Sequence, residues 1–165
     1  MGRAHGHARR DVNDGAEAIV VRPLNDADIV NVVALWRASG LVVPHNDPVA
    51  DIALCRRSGH GDVLVAVDGG AVVASVMVGH DGHRGWVYYL AVHPHCRREG
   101  LGRRLMAEGE AWLRARGVRK LELMIRSTNE AVKGFYSRLG YAEEPVTVMS
   151  RWLDGTRPGM PPPKP

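Results

Sequence analysis

Two apolar segments joined by a tight glycine turn constrain the fold of this chain most strongly. Residues 63–67 and 71–79 are rich in valine, and the tripeptide DGG stands between them. Aspartate and glycine favour a hairpin there because they adopt the backbone angles that such a turn requires. A second turn signal, the dipeptide DG at 81–82, leads into a third apolar segment at 85–92. Three strands joined by short turns predict an antiparallel meander.

Segments with helical spacing of apolar residues flank this meander. The helix predicted at 102–117 connects the third strand of the meander to a strand at 120–125, and a right-handed crossover makes those two strands parallel. We therefore predict an α/β (α+β) fold with a mixed, mostly antiparallel sheet and helices on both faces. The other predicted elements are strands at 18–22 and at 141 with 146–153, and helices after Asn25, after Asp47-Pro48 and at 129–139.

The length and composition of the chain fit one folded domain, which we place at residues 17–154. We expect disordered tails at 1–16, which has no apolar run of a signal peptide, and at 155–165, which is rich in proline. No stretch approaches 18 apolar residues, so no association with a membrane is expected. The two cysteines, Cys55 and Cys96, form no disulfide framework, which indicates the reducing cytoplasm.

Positive charge and glycine are concentrated directly after the third strand of the meander, in the segment HPHCRREGLG at 93–102. Gly100 and Gly102 let the backbone approach a ligand without a Cβ atom in the way. The free N–H groups and the dipole at the start of the next helix attract an anion, and arginines add charge-assisted contacts to phosphate oxygens. The segment is therefore a candidate phosphate-binding loop. Its arginines are Arg97, Arg98, Arg103 and Arg104.

Other interpretations of this loop are weaker or remain open. A Walker A string is absent, and the dinucleotide fingerprint lacks its third glycine because Leu105 stands there. Glu122 stands 20 residues after Gly102, where a dinucleotide-binding fold places an acidic residue that binds ribose. Without the third glycine, we interpret this spacing as a coincidence. A solvated basic turn without a ligand stays possible from the spacing alone. The net charge of +4 permits nucleic-acid binding, but aromatic residues make up only 5% and fall mostly in predicted core elements, so no nucleic-acid partner is expected.

The segment from residue 90 to 141 resembles the acetyl-CoA-binding half of the GCN5-related N-acetyltransferase (GNAT) superfamily. It contains the [Q/R]-x-x-G-x-[G/A] loop after a strand, then a helix, a strand and a helix with the spacing N-x₆-Y. More narrowly, the strings PHNDPVADI, GHDGHRG, YYLAVHP and GFYSRLGY are similar to the small YpeA-type acetyltransferases. The resemblance covers residues 19–153.

This resemblance implies a GNAT-like sheet with splayed central strands and acetyl-CoA as the cosubstrate. Pantetheine would lie in the gap between the splayed strands, and the backbone of the glycine loop would bind the pyrophosphate. Asn129 would lie near the cofactor, although its position also suits the N-cap of the last helix. The implied cofactor-binding residues are Leu90, Ala91, Val92, Arg97, Arg98, Glu99, Gly100, Leu101, Gly102, Arg103, Arg104 and Asn129.

Tyr136 is the implied catalytic residue. It stands seven residues after Asn129, where the family places a tyrosine near the cofactor sulfur, and a phenol there can protonate the departing thiolate. The alternative is a core tyrosine, because Tyr136 is adjacent to Phe135 on an amphipathic helix. In either case acetyl would pass directly to a primary amine, with a backbone N–H near Val92 polarising the thioester carbonyl.

The general base is not assigned by the resemblance. Some relatives carry a glutamate on the fifth strand, five residues before the asparagine, where this chain has Met124. Glu122 is a weak substitute because it lies further back along the strand, and ordered water is an alternative to any side chain. The remaining candidates are His45, Asp47, His80, Asp81, His83 and, through water, Tyr88.

Partners and metals are constrained less directly. The acceptor is an unidentified small-molecule or peptide amine, and a homodimer is compatible with the resemblance because small relatives often pair. An alternative function is a non-catalytic acetyl-CoA-binding regulatory module. No metal site is expected, because the HxxH and HxH spacings flank a strand or precede a proline turn. The histidines concerned are His80, His83, His93 and His95.

Overall fold

Residues 18–153 are described by the computed structural model of the protein. The tails expected at 1–16 and 155–165 lie outside the described residues. Within the described range, no helix is long and apolar enough to span a bilayer.

Five strands form one sheet within residues 18–153, and their order in the sheet follows their order in the chain. They are β1 (Val20–Pro23), β2 (Gly61–Asp68), β3 (Ala71–His80), β4 (Gly85–Val92) and β5 (Leu121–Glu122). β1 to β4 are antiparallel neighbours, and β5 pairs in parallel with β4. The meander predicted from the glycine turns is therefore the centre of the sheet, and the mixed, mostly antiparallel arrangement is confirmed.

Four α-helices cover the two faces of this sheet. They are α1 (Ile29–Ala38), α2 (Pro48–Arg57), α3 (Leu101–Arg114) and α4 (Glu130–Arg138). The strand residues alternate between two cores, because successive side chains of a strand point to opposite faces. Val63 and Val65 pack with α1 and α2, whereas Leu64 and Ala66 pack with α3 and α4.

The core beneath α1 contains one fully buried polar pair. The indole Nε1–H of Trp36 donates a hydrogen bond to Ser75 Oγ at 2.8 Å, and neither residue has any exposed surface. The Trp36 ring also stacks on Tyr89 of β4, with ring centroids 4.0 Å apart and planes 8° from parallel. These contacts fix α1 against the two central strands, because a buried indole N–H is costly unless it finds an acceptor.

The end of the chain differs from the sequence-based prediction. The final strand predicted at 141 with 146–153 is wrong, because these residues form no strand in the structure. The fifth strand is reduced from the predicted 120–125 to Leu121–Glu122. Alternating apolar residues favour a strand only where a neighbouring strand supplies hydrogen-bond partners, and this short strand offers almost none. Met149 is accordingly 90% exposed.

Replacing Ser75 with alanine will lower the free energy of unfolding by about 1–3 kcal/mol, because the buried Trp36 N–H loses its acceptor. Urea denaturation with linear extrapolation measures this change. Ser39→Ala is the matched control, since the Ser39 hydroxyl is buried without a hydrogen-bond partner among the described residues. Its removal should change stability by less than about 0.5 kcal/mol. Equal losses in the two variants would contradict the role assigned to Ser75.

Candidate active site

β4 extends well beyond its pairing with the short edge strand β5. β4 and β5 are paired only at Gly85–Leu121 and Trp86–Glu122, and β4 then continues to Val92 with no partner on that edge among the described strands. A gap therefore opens between β4 and the chain that follows β5. The splayed sheet implied by the resemblance is confirmed.

A β-bulge sits where β4 borders this gap. Ser75 pairs with Ala91 but Met77 pairs with Tyr88, so β4 carries one more residue than β3 over the same length. Tyr89, within the extra length, has a φ of 52°, which is unusual for a residue with a side chain. A bulge of this kind changes which backbone groups of a strand face each edge.

The backbone of the last residues of β4 offers hydrogen-bonding groups to the gap. His93 N–H donates to Val73 O of β3 at 2.8 Å, so the backbone groups of Val92 point to the opposite edge by the alternation of a strand. The same alternation directs Leu90 to the gap. Arg97 Nε donates to Val92 O at 3.2 Å, which leaves the N–H groups of both gap-facing residues for a ligand.

The glycine loop turns the chain from β4 into α3. A 3-10 turn at Pro94–Cys96 is followed by Arg98 and Gly100, whose φ angles are 68° and 83°. Gly100 is the N-cap of α3 and no side chain caps this end. The first N–H with an intrahelical acceptor is that of Arg104, which donates to Gly100 O at 3.0 Å. The preceding N–H groups of the first turn are therefore available to an anion.

The two glycines of the loop have different roles. A Cβ atom on Gly100 would meet nothing within 4 Å, so this position requires glycine for its positive φ. A Cβ atom on Gly102 would lie 3.3 Å from Phe135 Cζ and 3.7 Å from Val92 Cγ2. Gly102 thus allows α3 to start close against α4 and the end of β4, which was not apparent from the sequence.

The four arginines also divide into two pairs. Arg97 hydrogen-bonds to the end of β4, and Arg104 Nη1 donates to Ile19 O at 2.8 Å, which ties α3 to the residue before β1. Arg98 and Arg103 form neither hydrogen bonds nor ion pairs through their side chains with other residues in the described range. Their charges are therefore the ones available to a bound anion.

Tyr136 lies in the core between α4 and α3. Its side chain packs edge-on against Phe135 and Tyr141, with ring centroids 5.0 and 5.5 Å away, and the residue is 8% exposed. Burial raises the pKa of its phenol to about 12, so the hydroxyl is protonated at neutral pH. No described residue hydrogen-bonds to this hydroxyl. It is a core tyrosine that still has a proton to donate.

Asn129 forms the N-cap of α4. Its side-chain oxygen accepts a hydrogen bond from Val132 N–H at 3.3 Å. The capping role considered from the sequence is thus present in the structure, while a contact to a cofactor stays a prediction.

The residues near β5 do not supply an obvious base. Met124, which stands at the position of the family glutamate, is 52% exposed. Glu122 is held by two cations, with Arg84 Nε at 3.3 Å and Lys120 Nζ at 3.2 Å from the same carboxylate oxygen. Its carboxylate is therefore engaged in ion pairs.

The remaining base candidates lie in different environments. Asp47 caps α2 by accepting hydrogen bonds from the N–H groups of Val49 and Ala50. His45 packs edge-on against Trp152, and His83 lies exposed in the turn between β3 and β4. The structure brings only the other three candidates together, in a pocket at the base of the gap.

This pocket, here called the Trp86 pocket, has a volume of about 210 Å³ and lies where the pairing of β4 with β5 ends. It opens on the sheet face that carries Met77. Gly61 and Gly79 leave room for it there, because they have no side chains. The sequence had indicated His80, Asp81 and Tyr88 as candidates for the base. It did not indicate Trp86, whose indole lies on the same face of β4 as Tyr88. Its walls are Ser58, His60, Gly61, Met77, Gly79, His80, Asp81, Trp86 and Tyr88.

Asp81 is held in the wall of the Trp86 pocket by three N–H donors. Its Oδ1 accepts from the backbone of His83 at 2.8 Å and of Arg84 at 2.7 Å, and its Oδ2 accepts from Trp86 Nε1 at 3.0 Å. These bonds hold the pKa of the carboxyl well below its usual range. Burial and the nearby Asp81 charge raise the pKa of Tyr88, so its phenol is neutral at physiological pH.

The histidines considered for a metal do not form a cluster. The rings of His93 and His95 lie 5.4 Å apart, and those of His60 and His80 lie 5.0 Å apart. Over residues 18–153, no three histidine, cysteine or acidic side chains converge on one point.

Comparison with known proteins identifies the family. Residues 31–141 match the model of the acetyltransferase (GNAT) family. An acetyltransferase of Yersinia enterocolitica is 41% identical over 81% of this chain and 94% of its own length. An uncharacterized N-acetyltransferase of Yersinia pestis is 40% identical with the same coverage.

Solved structures share the fold at lower identity. An aminoglycoside N-acetyltransferase in complex with CoA superimposes with a TM-score of 0.73 at 18% identity, over 86% of this chain and 99% of that protein. The glucosamine-6-phosphate N-acetyltransferase of Arabidopsis thaliana gives a TM-score of 0.64 at 19% identity, over 84% and 100%. The chain belongs to the GNAT acetyltransferase family, and it is an enzyme of that class.

The buried phenol predicts a specific loss of stability in alkali. Since the pKa of Tyr136 is raised to about 12, the unfolded chain, with tyrosine near pH 10, loses this proton first. The stabilisation is complete below pH 10 and is lost as pH rises towards 12. Unfolding measured at pH 9 to 12 should show a decline that is smaller in Tyr136→Phe by about 1–3 kcal/mol. An identical decline in both proteins would contradict the burial of this phenol.

Proposed function

We propose that the protein transfers acetyl from acetyl-CoA to a primary amine, which attacks the thioester directly. The observation that carries the proposal is the unpaired edge of β4, which leads straight to the uncapped start of α3. Such a path suits a ligand that has an extended amide chain at one end and phosphates at the other. Support comes also from the family and from the CoA complex of a protein with the same fold.

The phosphate end of acetyl-CoA fits the glycine loop. The N–H groups from Arg98 to Arg103 would bind the pyrophosphate, since the loop bends through two positive φ angles and the helix dipole adds positive potential. Arg98 and Arg103 would contribute charge-assisted hydrogen bonds, whereas Arg97 and Arg104 would hold the loop in place. Asn129 would contact the cofactor while it caps α4.

The amide groups of pantetheine would pair with the free edge of β4, along Leu90, Ala91 and Val92. A gap-facing N–H of this stretch would polarise the thioester carbonyl, and its hydrogen bond would strengthen as negative charge develops on the oxygen. The amine nitrogen forms a bond to the carbonyl carbon, and the carbon–sulfur bond then breaks. Tyr136, neutral because of its raised pKa, would protonate the departing thiolate.

The amine must lose a proton before or during the attack. Asp81 is a poor base because its pKa is held low, and Tyr88 is neutral. Within the described residues, the His80 side chain forms no ion pair and caps no helix, and it lines the Trp86 pocket. We infer that His80, acting through water, or ordered water alone receives this proton.

The sequence alone left a non-catalytic acetyl-CoA-binding module as the alternative function, and the family to which the chain belongs argues against it. The observation that favours it is Met124, which replaces the glutamate that some relatives use. Release of free thiol in the presence of an amine distinguishes the two, because a binding module would release none.

Acetyl-CoA should raise the melting temperature selectively. At about 100 times its Kd, a ligand stabilises the folded state by roughly 2.7 kcal/mol, which corresponds to roughly 5–10 °C for a domain of this size. Differential scanning fluorimetry with NAD and ATP as controls measures the effect. Equal shifts with all three ligands, or no shift, would contradict the cofactor.

The affinity for acetyl-CoA should fall about tenfold in Arg98→Ala and in Arg103→Ala, since each loses a charge-assisted contact worth at least about 1.4 kcal/mol. Arg119→Ala, after the opposite end of α3, is the matched control and should bind normally. A similar loss in the control would indicate only a long-range charge effect.

Tyr136→Phe should lower the rate of thiol release at saturating amine by about 100-fold or more while the affinity for acetyl-CoA stays unchanged. The matched control is Tyr141→Phe, because the proton of that phenol is already donated to Glu110 Oε1 at 2.8 Å. Full activity of Tyr136→Phe would remove this residue from the mechanism.

A further inference from the structure

The Trp86 pocket contains a negative charge that no neighbouring cation neutralises. Among residues 18–153, no lysine or arginine lies within ion-pair distance of the Asp81 carboxylate. Arg84, which follows it in the turn, directs its guanidinium to Glu122 instead. The three donors that hold Asp81 are neutral N–H groups, so they fix its position without removing its charge.

Aromatic surface lies beside this charge, which is at the exposed rim of the pocket. The indole of Trp86 and the phenol of Tyr88 both line the pocket, together with the polarizable thioether of Met77. A cation over the face of a tryptophan is attracted by the ring, and the attraction adds to that of a nearby carboxylate. The Trp86 pocket therefore suits an organic cation, and it disfavours a carboxylate or phosphate group.

The pocket is displaced from the position of the reacting thioester. In the proposed arrangement the thioester lies along Leu90 to Val92. Tyr88 and Trp86 are at least two and four residues before this stretch on β4, which corresponds to at least about 7 and about 13 Å along a strand at about 3.3 Å per residue. A small monoamine can therefore reach either the thioester or Asp81, but not both. Only an elongated molecule reaches both at once.

We propose that the natural acceptor is an elongated organic dication, whose distal positive group binds between Asp81 and Trp86 while its primary amine is acetylated. The inference rests on the proposed acetyl transfer and adds the chemical class of the acceptor. The distal cation is an ammonium or guanidinium group, since both donate hydrogen bonds to a carboxylate and both are attracted to the face of an indole.

A series of straight-chain amines tests the proposal as a molecular ruler. Thiol release is measured with α,ω-diamines of three to ten methylene groups, with monoamines of the same lengths, and with amino acids in which a carboxylate replaces the distal amine. We expect kcat/KM of the longer diamines to exceed that of the matched monoamines at least about tenfold, whereas short diamines gain nothing. The distal carboxylates should be the poorest acceptors. Equal kcat/KM for diamines and monoamines at every length would overturn the proposal.

Asp81→Asn removes the charge and can keep the turn, because an amide oxygen still accepts from the backbone of His83 and Arg84. The preference for diamines over monoamines should fall at least fivefold, with kcat/KM for monoamines unchanged within twofold. Asp68→Asn is the matched control and should keep the full preference, because Asp68 ends β2 and pairs with Ala71, at the opposite end of β3 from Asp81. An unchanged preference in Asp81→Asn would overturn the role of this carboxylate.

Trp86→Phe provides a second variant that keeps an aromatic face and the Asp81 charge but loses the indole N–H. It should retain a reduced preference for diamines, because a phenyl ring attracts a cation more weakly than an indole does. An unchanged preference would contradict the role of the indole in binding the distal cation. Failure of the wider function gives a different result. If no amine releases thiol and acetyl-CoA does not raise the melting temperature, the acetyl transfer itself is wrong. If monoamines react and diamines show no advantage, only the acceptor class is wrong.

Discussion

The rest of the site depends on one feature of the sheet, which is that β4 keeps hydrogen-bond partners on one edge and loses them on the other. β5 pairs with it at two positions only, because the chain turns away after Glu122. A strand inside a sheet normally offers nothing to a ligand, since its backbone groups are already satisfied. Here the bulge at Tyr89 and the missing partner leave N–H groups available in the interior of the sheet, next to a buried tyrosine.

The start of α3 completes this site by close packing. Gly102 lets the helix begin against Phe135 and the end of β4, so the uncapped N–H groups follow directly after the unpaired edge. Two arginines fix this arrangement by bonding to backbone carbonyls, and two leave their charges for a ligand. The four arginines of the loop thus serve both folding and binding. The sequence alone does not show which arginine has which role.

Local signals in the sequence predicted much of the fold. The DGG turn predicted the β2–β3 hairpin, and helical spacing with a terminal glycine predicted α3 to within a few residues. The strand at 146–153 was wrong because alternation describes a preference, whereas a strand also requires a neighbour with free backbone groups. The Trp86 pocket was missed for a similar reason, since its walls come from the residues that follow α2, from β2, β3 and β4, and from the turn between β3 and β4, which are far apart in the chain.

The sequence by itself determined the order of the elements, the loop of glycines and arginines, and the family to which the chain belongs, because each of these depends on residues close together or on a motif. Only the tertiary structure decided which arginines remain free, why Gly102 is a glycine, and that Asp81 carries an uncompensated charge beside Trp86. These properties depend on contacts between distant segments. The charge and size of a residue follow from its identity, whereas the residues it contacts are determined by packing in the tertiary structure.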